Sequence, residues 1–243
     1  MTAISERFDV RPLTARSAVL SVLLGAHPPE ATGRALVEWG RGLGISEQAV
    51  RVALTRMVAA GDLERRDGVH RLSPRLLARQ ERQDAALVEP TDHWDGTWRV
   101  AVVTEVGAEA SRRASLRQRM VDARFAELRE GVWARPANLA WTPSAESAPS
   151  LELLSARPDR EARDLASELF DPAAWADTAL LLSDRLATES DLATRTAVAA
   201  AIVRHLVADP LLPRELLPDD WPGTALRETY AAFRQELIEL WRG

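Results

Sequence analysis

The stretch Trp39–Met57, WGRGLGISEQAVRVALTRM, sets three glycines, Gly40, Gly42 and Gly44, directly ahead of a helix-like run. A glycine-rich segment before a helix can cradle nucleotide phosphates, or it can be the turn that aims a helix at DNA. A phosphate loop needs a strand in front of it to deliver the glycines to the ligand. Here the preceding TGRALVEW repeats Leu36, Trp39 and Leu43 at helical spacing, so the glycines stand between two helices. The spacing is G-x-G-x-G rather than G-x-G-x-x-G, and no lysine follows to grip a terminal phosphate.

A helix-turn-helix fits each position. Gly44 can take the positive φ that ends a helix, and Ser46 can cap the next one by accepting from an amide two or three residues on. Val50, Leu54 and Met57, with Val58, form one apolar stripe toward the preceding helix. The opposite side carries Gln48, Arg51, Thr55 and, nearer the edge, Arg56. These side chains suit a DNA groove: Arg pairs bidentately with guanine, Gln with adenine, and Thr with either or with a thymine methyl. The helix is expected to stop at Gly61.

Downstream, LERRDGVHRL (Leu63–Leu72) centres on Asp67-Gly68, a strong signal for a two-residue hairpin turn. That register sets Glu64 opposite Arg71 and Arg65 opposite His70. A helix-turn-helix followed by a basic hairpin reads as a winged helix, whose wing would bring Arg65, Arg66 or Arg71 near phosphates or the minor groove.

Length and composition agree with a larger, multi-part chain. Its 243 residues suit two or three compact units, and 46% hydrophobic with 28% charged residues is globular. No apolar run approaches the roughly 20 residues that cross a bilayer. The opening MTAISERFDVRPLT lacks a basic segment followed by an apolar one, so no secretory signal is expected and a cytoplasmic location is. The absence of cysteine excludes disulfides, thiolate zinc sites and cysteine nucleophiles. All 31 basic residues are arginine, which removes Schiff-base and phosphate-loop lysines. Net charge is −5, but residues 46–82 hold 8 arginines against 5 acids, so the basic density lies on and just after the opening stretch.

Three regions follow in order: 1–90, the winged helix with a connecting helix in which Ser73 caps and Pro74 takes the first position; 91–157; and 158–243, helical by periodicity. Pro90-Thr91-Asp92 breaks the first from the second. The second contains the clearest strand, Trp98–Val103, then an arginine-rich helix at about 110–123 and strands near 124–128 and 131–135. Leu151–Leu154 could be strand or helix. The third is broken at Pro172 and over Pro210–Pro222, and closes with a helix at about 224–241.

Four pieces, LGISEQAVRVALTRMVAAGDLERR, WDGTW at 94–98, GVWARPANL at 131–139 and LLPRELLPDDWPG at 211–223, together resemble the PaaX family of bacterial transcriptional regulators. The resemblance implies an α+β protein with an N-terminal winged helix-turn-helix, a central ferredoxin-like domain for dimerisation and a helical C-terminal domain. It also implies a homodimeric repressor of catabolic operons, released by an aromatic acyl-coenzyme A inducer. Between Asn138 and Ser150 the segment is short and proline-rich where family members have a second helix, so a trimmed central domain is expected. The matched DNA-binding positions are Ser46, Gln48, Arg51, Thr55, Arg56, Arg65, Arg66, His70 and Arg71, with an inverted-repeat duplex as partner. The alternative is a ligand-binding or scaffold protein on the same fold without operator recognition.

Other chemistry carries less. The central domain is similar in fold to CRISPR-associated nucleases that hold a metal-binding Asp after the first strand, where this chain reads Thr104-Glu105-Val106; a solvated glutamate is expected. His93 between Asp92 and Asp95 supplies only part of a metal shell, and a local turn explains it better. His205 reads as a helix-face residue, and no G-x-S-x-G elbow occurs. The eight tryptophans are expected mainly as buried anchors. Arg112, Arg113, Arg117 and Arg119 share a helix and are a solvated face or, at Arg112 and Arg113, a capture point for the phosphates of an inducer. No catalytic residue, metal ligand or cofactor is expected.

Overall fold

The computed structural model describes residues 12–89, 93–105, 107 and 109–242. The opening segment before Pro12, the Pro90–Asp92 break and Val106 lie outside them. The chain divides into two compact units. One contains the segment up to Val88 together with Thr178–Asp209 and Pro222–Gly243; the other contains Glu89–Asp177 and Pro210–Trp221.

In the first unit, helices α1 (Ala15–Gly25), α2 (Gly33–Gly42) and α3 (Glu47–Ala59) start on hydroxyl caps. Thr14, Thr32 and Ser46 accept from the amides of Ser17, Ala35 and Ala49, satisfying donors that the first helical turn leaves open. The glycines divide differently from expectation. Gly40 and Gly42 belong to α2, and only Gly44 makes the turn, at φ 73°. There the Gly44 and Ile45 amides return to the Arg41 and Gly40 carbonyls, the paired bonds of a Schellman end. Gly40 has a packing task, since a Cβ on it would collide with Val50 Cγ2.

The hairpin has the expected register: β2 (Leu63–Arg66) pairs with β3 (Val69–Leu72), Glu64 opposite Arg71 and Arg65 opposite His70. Asp67 and Gly68 both have positive φ, as a tight two-residue turn requires. A third strand, β1 (Glu30–Thr32), lies on the far side of β3 and was not anticipated. Three residues are too few to show an alternation, and the partner strand is some 40 residues away.

Helix α4 (Pro74–Ala86) begins with Ser73 and Pro74 in the expected places, but the Ser73 hydroxyl makes no cap bond. The Leu76 and Leu77 amides go to the Ser73 carbonyl instead, leaving the buried hydroxyl without a donor to serve. The core joins Val19, Leu20, Leu23 and Leu24 of α1 to Val50, Leu54 and Met57 of α3, closed by Leu63, Leu72 and Leu76. Helices α8 (Leu192–Val207) and α9 (Gly223–Arg242) complete this unit: Leu192, Ala193 and Leu237 pack beside Ala18, Trp39 and Leu43. Buried Arg227 donates to Asp209 at 2.7 Å and to the Ala86 carbonyl at 3.1 Å.

The second unit is a four-stranded antiparallel sheet in the order β5 (Ala126–Arg129), β6 (Val132–Pro136), β4 (Trp98–Val103), β7 (Leu151–Ala156). Helix α5 (Ala110–Asp122) connects β4 to β5. In chain rank this order is 2-3-1-4, the ferredoxin-like arrangement. Between β6 and β7 there is only a short 3-10 turn, Ala148–Ser150, where that arrangement has its second helix. The trimmed segment is thus real, and Leu151–Leu154 is strand. Strand β4 is covered on both faces: Trp98 and Val100 pack with Trp94, Leu165 of α6 (Ala162–Phe170), Leu212 and Leu216, whereas Ala101 and Val103 pack with Met120, Phe125 and Trp133. Helix α7 (Pro172–Thr188) opens with Trp175, which stacks on Trp221 at 4.4 Å.

Candidate nucleic-acid interface

Helix α3 is positioned by its inner stripe. Val50, Leu54 and Met57 are buried, which turns Gln48, Arg51, Thr55 and Arg56 outward, and all four are exposed. Ser46 is exposed at the helix start, its hydroxyl committed to the cap. Arg51 is held on its own helix: its Nε donates to Glu47 Oε1 at 2.8 Å, and Arg41 reaches the other oxygen of Glu47 at 3.6 Å. Thr55 donates its hydroxyl to the Arg51 carbonyl. Arg56 is exposed and forms no ion pair among the described residues.

A groove of about 1040 Å³ runs between α2, α3 and the wing. Arg51, Thr55 and Arg65 line it, with Arg34 and Arg41 of α2. The two α2 arginines were missed in the sequence. Their seven-residue spacing places them on one helix face, and that periodicity was the available signal. Arg34 is almost fully exposed and pairs with Glu38 at 3.0 Å. Glu38, Glu47 and Asp67 line the same groove, so its charge is mixed.

Two of the expected wing residues depart from the rest. His70 is 6% exposed, set back from the exposed arginines although it lines the same groove. Strand alternation puts it on the inner face with Leu72, and its ring sits against Gly33. Burial first, then the Arg65 charge, lowers its pKa from the ordinary histidine value, favouring the neutral ring. Arg71 alternates to the other face, between Glu30 and Glu64, and is ion-paired to Glu30. Arg65 and Arg66 remain exposed at the wing, Arg66 within 3.8 Å of Asp67.

In the second unit, the arginines of α5 are largely paired. Arg112 meets Glu105 at 2.8 Å, Arg117 meets Glu127 at 2.6 Å while lying over the Trp133 ring, and Arg119 meets Glu146 at 3.1 Å. Arg113 is exposed. Glu105 is not simply solvated: it also accepts from the Ser150 hydroxyl at 2.7 Å, tying the end of β4 to the start of β7. No group of three or more His, Asp or Glu able to hold a metal occurs among the described residues. Asp95 makes a local turn by accepting from the Thr97 amide, and Thr97 holds its carboxyl below the ordinary range. Asp92, the other half of the His93 clamp, lies outside the described residues.

The motif GVWARPANL is structural. Arg135 is buried, donates to the Ala123 and Pro136 carbonyls and lies over Phe125; burial, then Arg124 and Arg99, bring its pKa down to about 10. Asn138 donates to the Leu211 carbonyl at 2.8 Å, linking this motif to the LLPRELLPDDWPG segment. Trp39, Trp94, Trp98, Trp133 and Trp175 are buried, and Trp141 packs edge-on against Phe125.

Three family models match the chain in succession: "PaaX-like protein" over residues 14–77, "PaaX protein central Cas2-like domain" over 91–162 and "PaaX-like protein C-terminal domain" over 164–241. A solved structure of an uncharacterized Mycobacterium tuberculosis protein, Rv0674, is similar at 48% identity with a TM-score of 0.84, covering 94% of this chain and 97% of that one. No curated protein matches. No helix among the described residues is long and apolar enough to cross a membrane.

Proposed function

The chain belongs to the PaaX family, whose members are DNA-binding transcriptional regulators rather than enzymes, and on that premise we propose that it is a cytoplasmic homodimeric repressor reading an inverted-repeat operator. The observation that carries this reading is the outward face of α3, where Gln48, Arg51, Thr55 and Arg56 stand exposed beside Arg65 and Arg66 of the wing. Helix α3 enters the major groove, where Arg51 and Gln48 meet base edges and Thr55 meets a base or a thymine methyl. Arg34, Arg41, Arg56, Arg65 and Arg66 face phosphates and supply affinity that falls steeply with salt. One module contacts few base pairs, so a symmetric pair adds binding free energy and sets the half-site spacing.

Release follows if an inducer binds better to an arrangement in which the two α3 helices are out of register with the half-sites. The proposed inducer is an aromatic acyl-coenzyme A thioester, its phosphates captured by Arg112 and Arg113. Arg112 would exchange Glu105 for phosphate. Charge reversal at both should abolish release while sparing operator binding.

A second reading, a ligand-binding or scaffold protein without operator recognition, is favoured by the carboxylates of Glu38, Glu47 and Asp67 in the groove. A protection assay on the protein's own promoter region, with and without acyl-coenzyme A compounds, decides between them. A protected palindrome lost on adding the thioester supports the repressor; no protection at low salt supports the scaffold.

A further inference from the structure

Helices α1, α4, α8 and α9 of the first unit enclose a cavity of about 610 Å³, within the range of small-molecule sites. Its body is apolar, from Leu20, Trp39, Val203, Phe233 and Leu237. Its charged lining is of one sign. Arg16, Arg79, Arg204 and Arg234 face it, and among the described residues none that lines it is an acid, in a chain whose net charge is −5.

Two of these guanidiniums are already engaged. Arg16 pairs with Asp62 at 2.9 Å, and Arg234 donates to the Gly25 carbonyl at 2.9 Å. The guanidinium groups of Arg79 and Arg204 form no hydrogen bond or ion pair among the described residues. Arg79 is half-buried, and burial, then Arg16, Arg204 and Arg82, lower its pKa from the ordinary arginine value. A partly desolvated cation among like charges is costly, and a carboxylate between two guanidinium forks offsets that cost with short, charge-assisted bonds.

We propose that this cavity binds an amphipathic organic acid, a carboxylate on an apolar chain or ring, with Arg79 and Arg204 holding the carboxylate and Leu20, Trp39, Val203, Phe233 and Leu237 enclosing the apolar body. The site lies apart from Arg112 and Arg113 in sequence and belongs to the unit that carries α3. Leu20 and Leu24 line the cavity and also belong to the core that includes Val50, Leu54 and Met57. A bound acid therefore acts on α1, the layer directly behind α3. This coupling rests on the repressor reading; the binding does not.

The test is calorimetric titration of the full chain with a series of linear and aryl-substituted carboxylic acids, each beside its primary amide. Saturable binding of one acid per chain is expected, with the amide at least about tenfold weaker, equivalent to about 1.4 kcal/mol. Arg79→Gln with Arg204→Gln should bring acid and amide to within about twofold, and Ala200→Trp, which fills the cavity, should abolish both. Equal affinity for acid and amide, discrimination that survives the double arginine substitution, or binding of coenzyme A thioesters with the free acids silent would overturn the assignment. Far-ultraviolet circular dichroism and melting of each variant separate loss of binding from loss of fold. No arm contains DNA, so a chain that binds the acid but protects no operator defeats the repressor reading and leaves the cavity assignment standing.

Discussion

Arg51 and Glu47 form a two-point contact on one turn of α3, Nε at 2.8 Å and Nη2 at 2.7 Å from the same carboxylate oxygen. The order, acid first and base four residues on, is the favourable one for a helix. It holds the guanidinium in one orientation and also places a negative charge where a duplex would approach. Replacing Arg51 by Ala should cost about 1–3 kcal/mol at the preferred operator and relax base choice at one position. Glu47→Gln should tighten binding to all sequences alike, because it removes a charge without removing a base contact. Anisotropy titrations against a panel of single-base operator variants check both. A footprint of Arg51→Ala identical to that of the native protein would refute the placement of α3.

Salt should separate the arginines by role. Arg65→Ala or Arg34→Ala is expected to lower affinity across all sequences and to reduce the slope of log K against log salt by about one. Arg71→Ala, on the other strand face and paired to Glu30, should leave that slope unchanged. Binding isotherms at several salt concentrations provide the comparison.

Gly40 and Gly42 should respond oppositely to the same substitution. Alanine at Gly40 forces a Cβ against Val50, and overpacking of this kind costs about 1–3 kcal/mol. Adding Val50→Ala should recover part of the loss. Alanine at Gly42 meets nothing within 4 Å and should be neutral or stabilising by up to about 1 kcal/mol. Urea unfolding of the three variants beside the native protein reads these differences directly.

His70 predicts an acid-side loss of stability. Its folded pKa lies below the ordinary 6.5, so the unfolded chain binds more protons in the window between the two values. The contribution is complete above 6.5 and is lost as pH falls through the folded value. Melting temperature followed from about pH 8 to about pH 5 should fall in the native protein and fall less in His70→Phe. Equal pH profiles would place the titrating group elsewhere.

The Arg227–Asp209 pair, with side chains 7% and 3% exposed, anchors α9 within the first unit. Asp209→Ala leaves a buried guanidinium without its carboxylate and should cost about 3–5 kcal/mol. Arg227→Met combined with Asp209→Leu should cost less than the single change. Chemical denaturation of single and double variants measures the difference.

What was readable in the one-dimensional chain is what short-range bonding decides. The Gly44 turn and Ser46 cap, the Asp67-Gly68 hairpin with its register, the strand at Trp98–Val103 and the outward set on α3 all follow from hydrogen bonds or periodicities spanning a few residues. The resemblance supplied the central and C-terminal layout, including the missing second helix.

Contacts between distant segments were beyond that reach. Pairing of Glu30 with Arg71 added a strand, and burial withdrew His70 from the surface. Packing of α2 on α3 turned Gly40 into a contact point and brought Arg34 and Arg41 to the groove. Above all, α8 and α9 joined a unit built from the other end of the chain and closed a cavity with arginines from positions 16, 79, 204 and 234. Such arrangements depend on how whole surfaces fit and on which charges that fit leaves unpaired, quantities that exist only once the chain is folded.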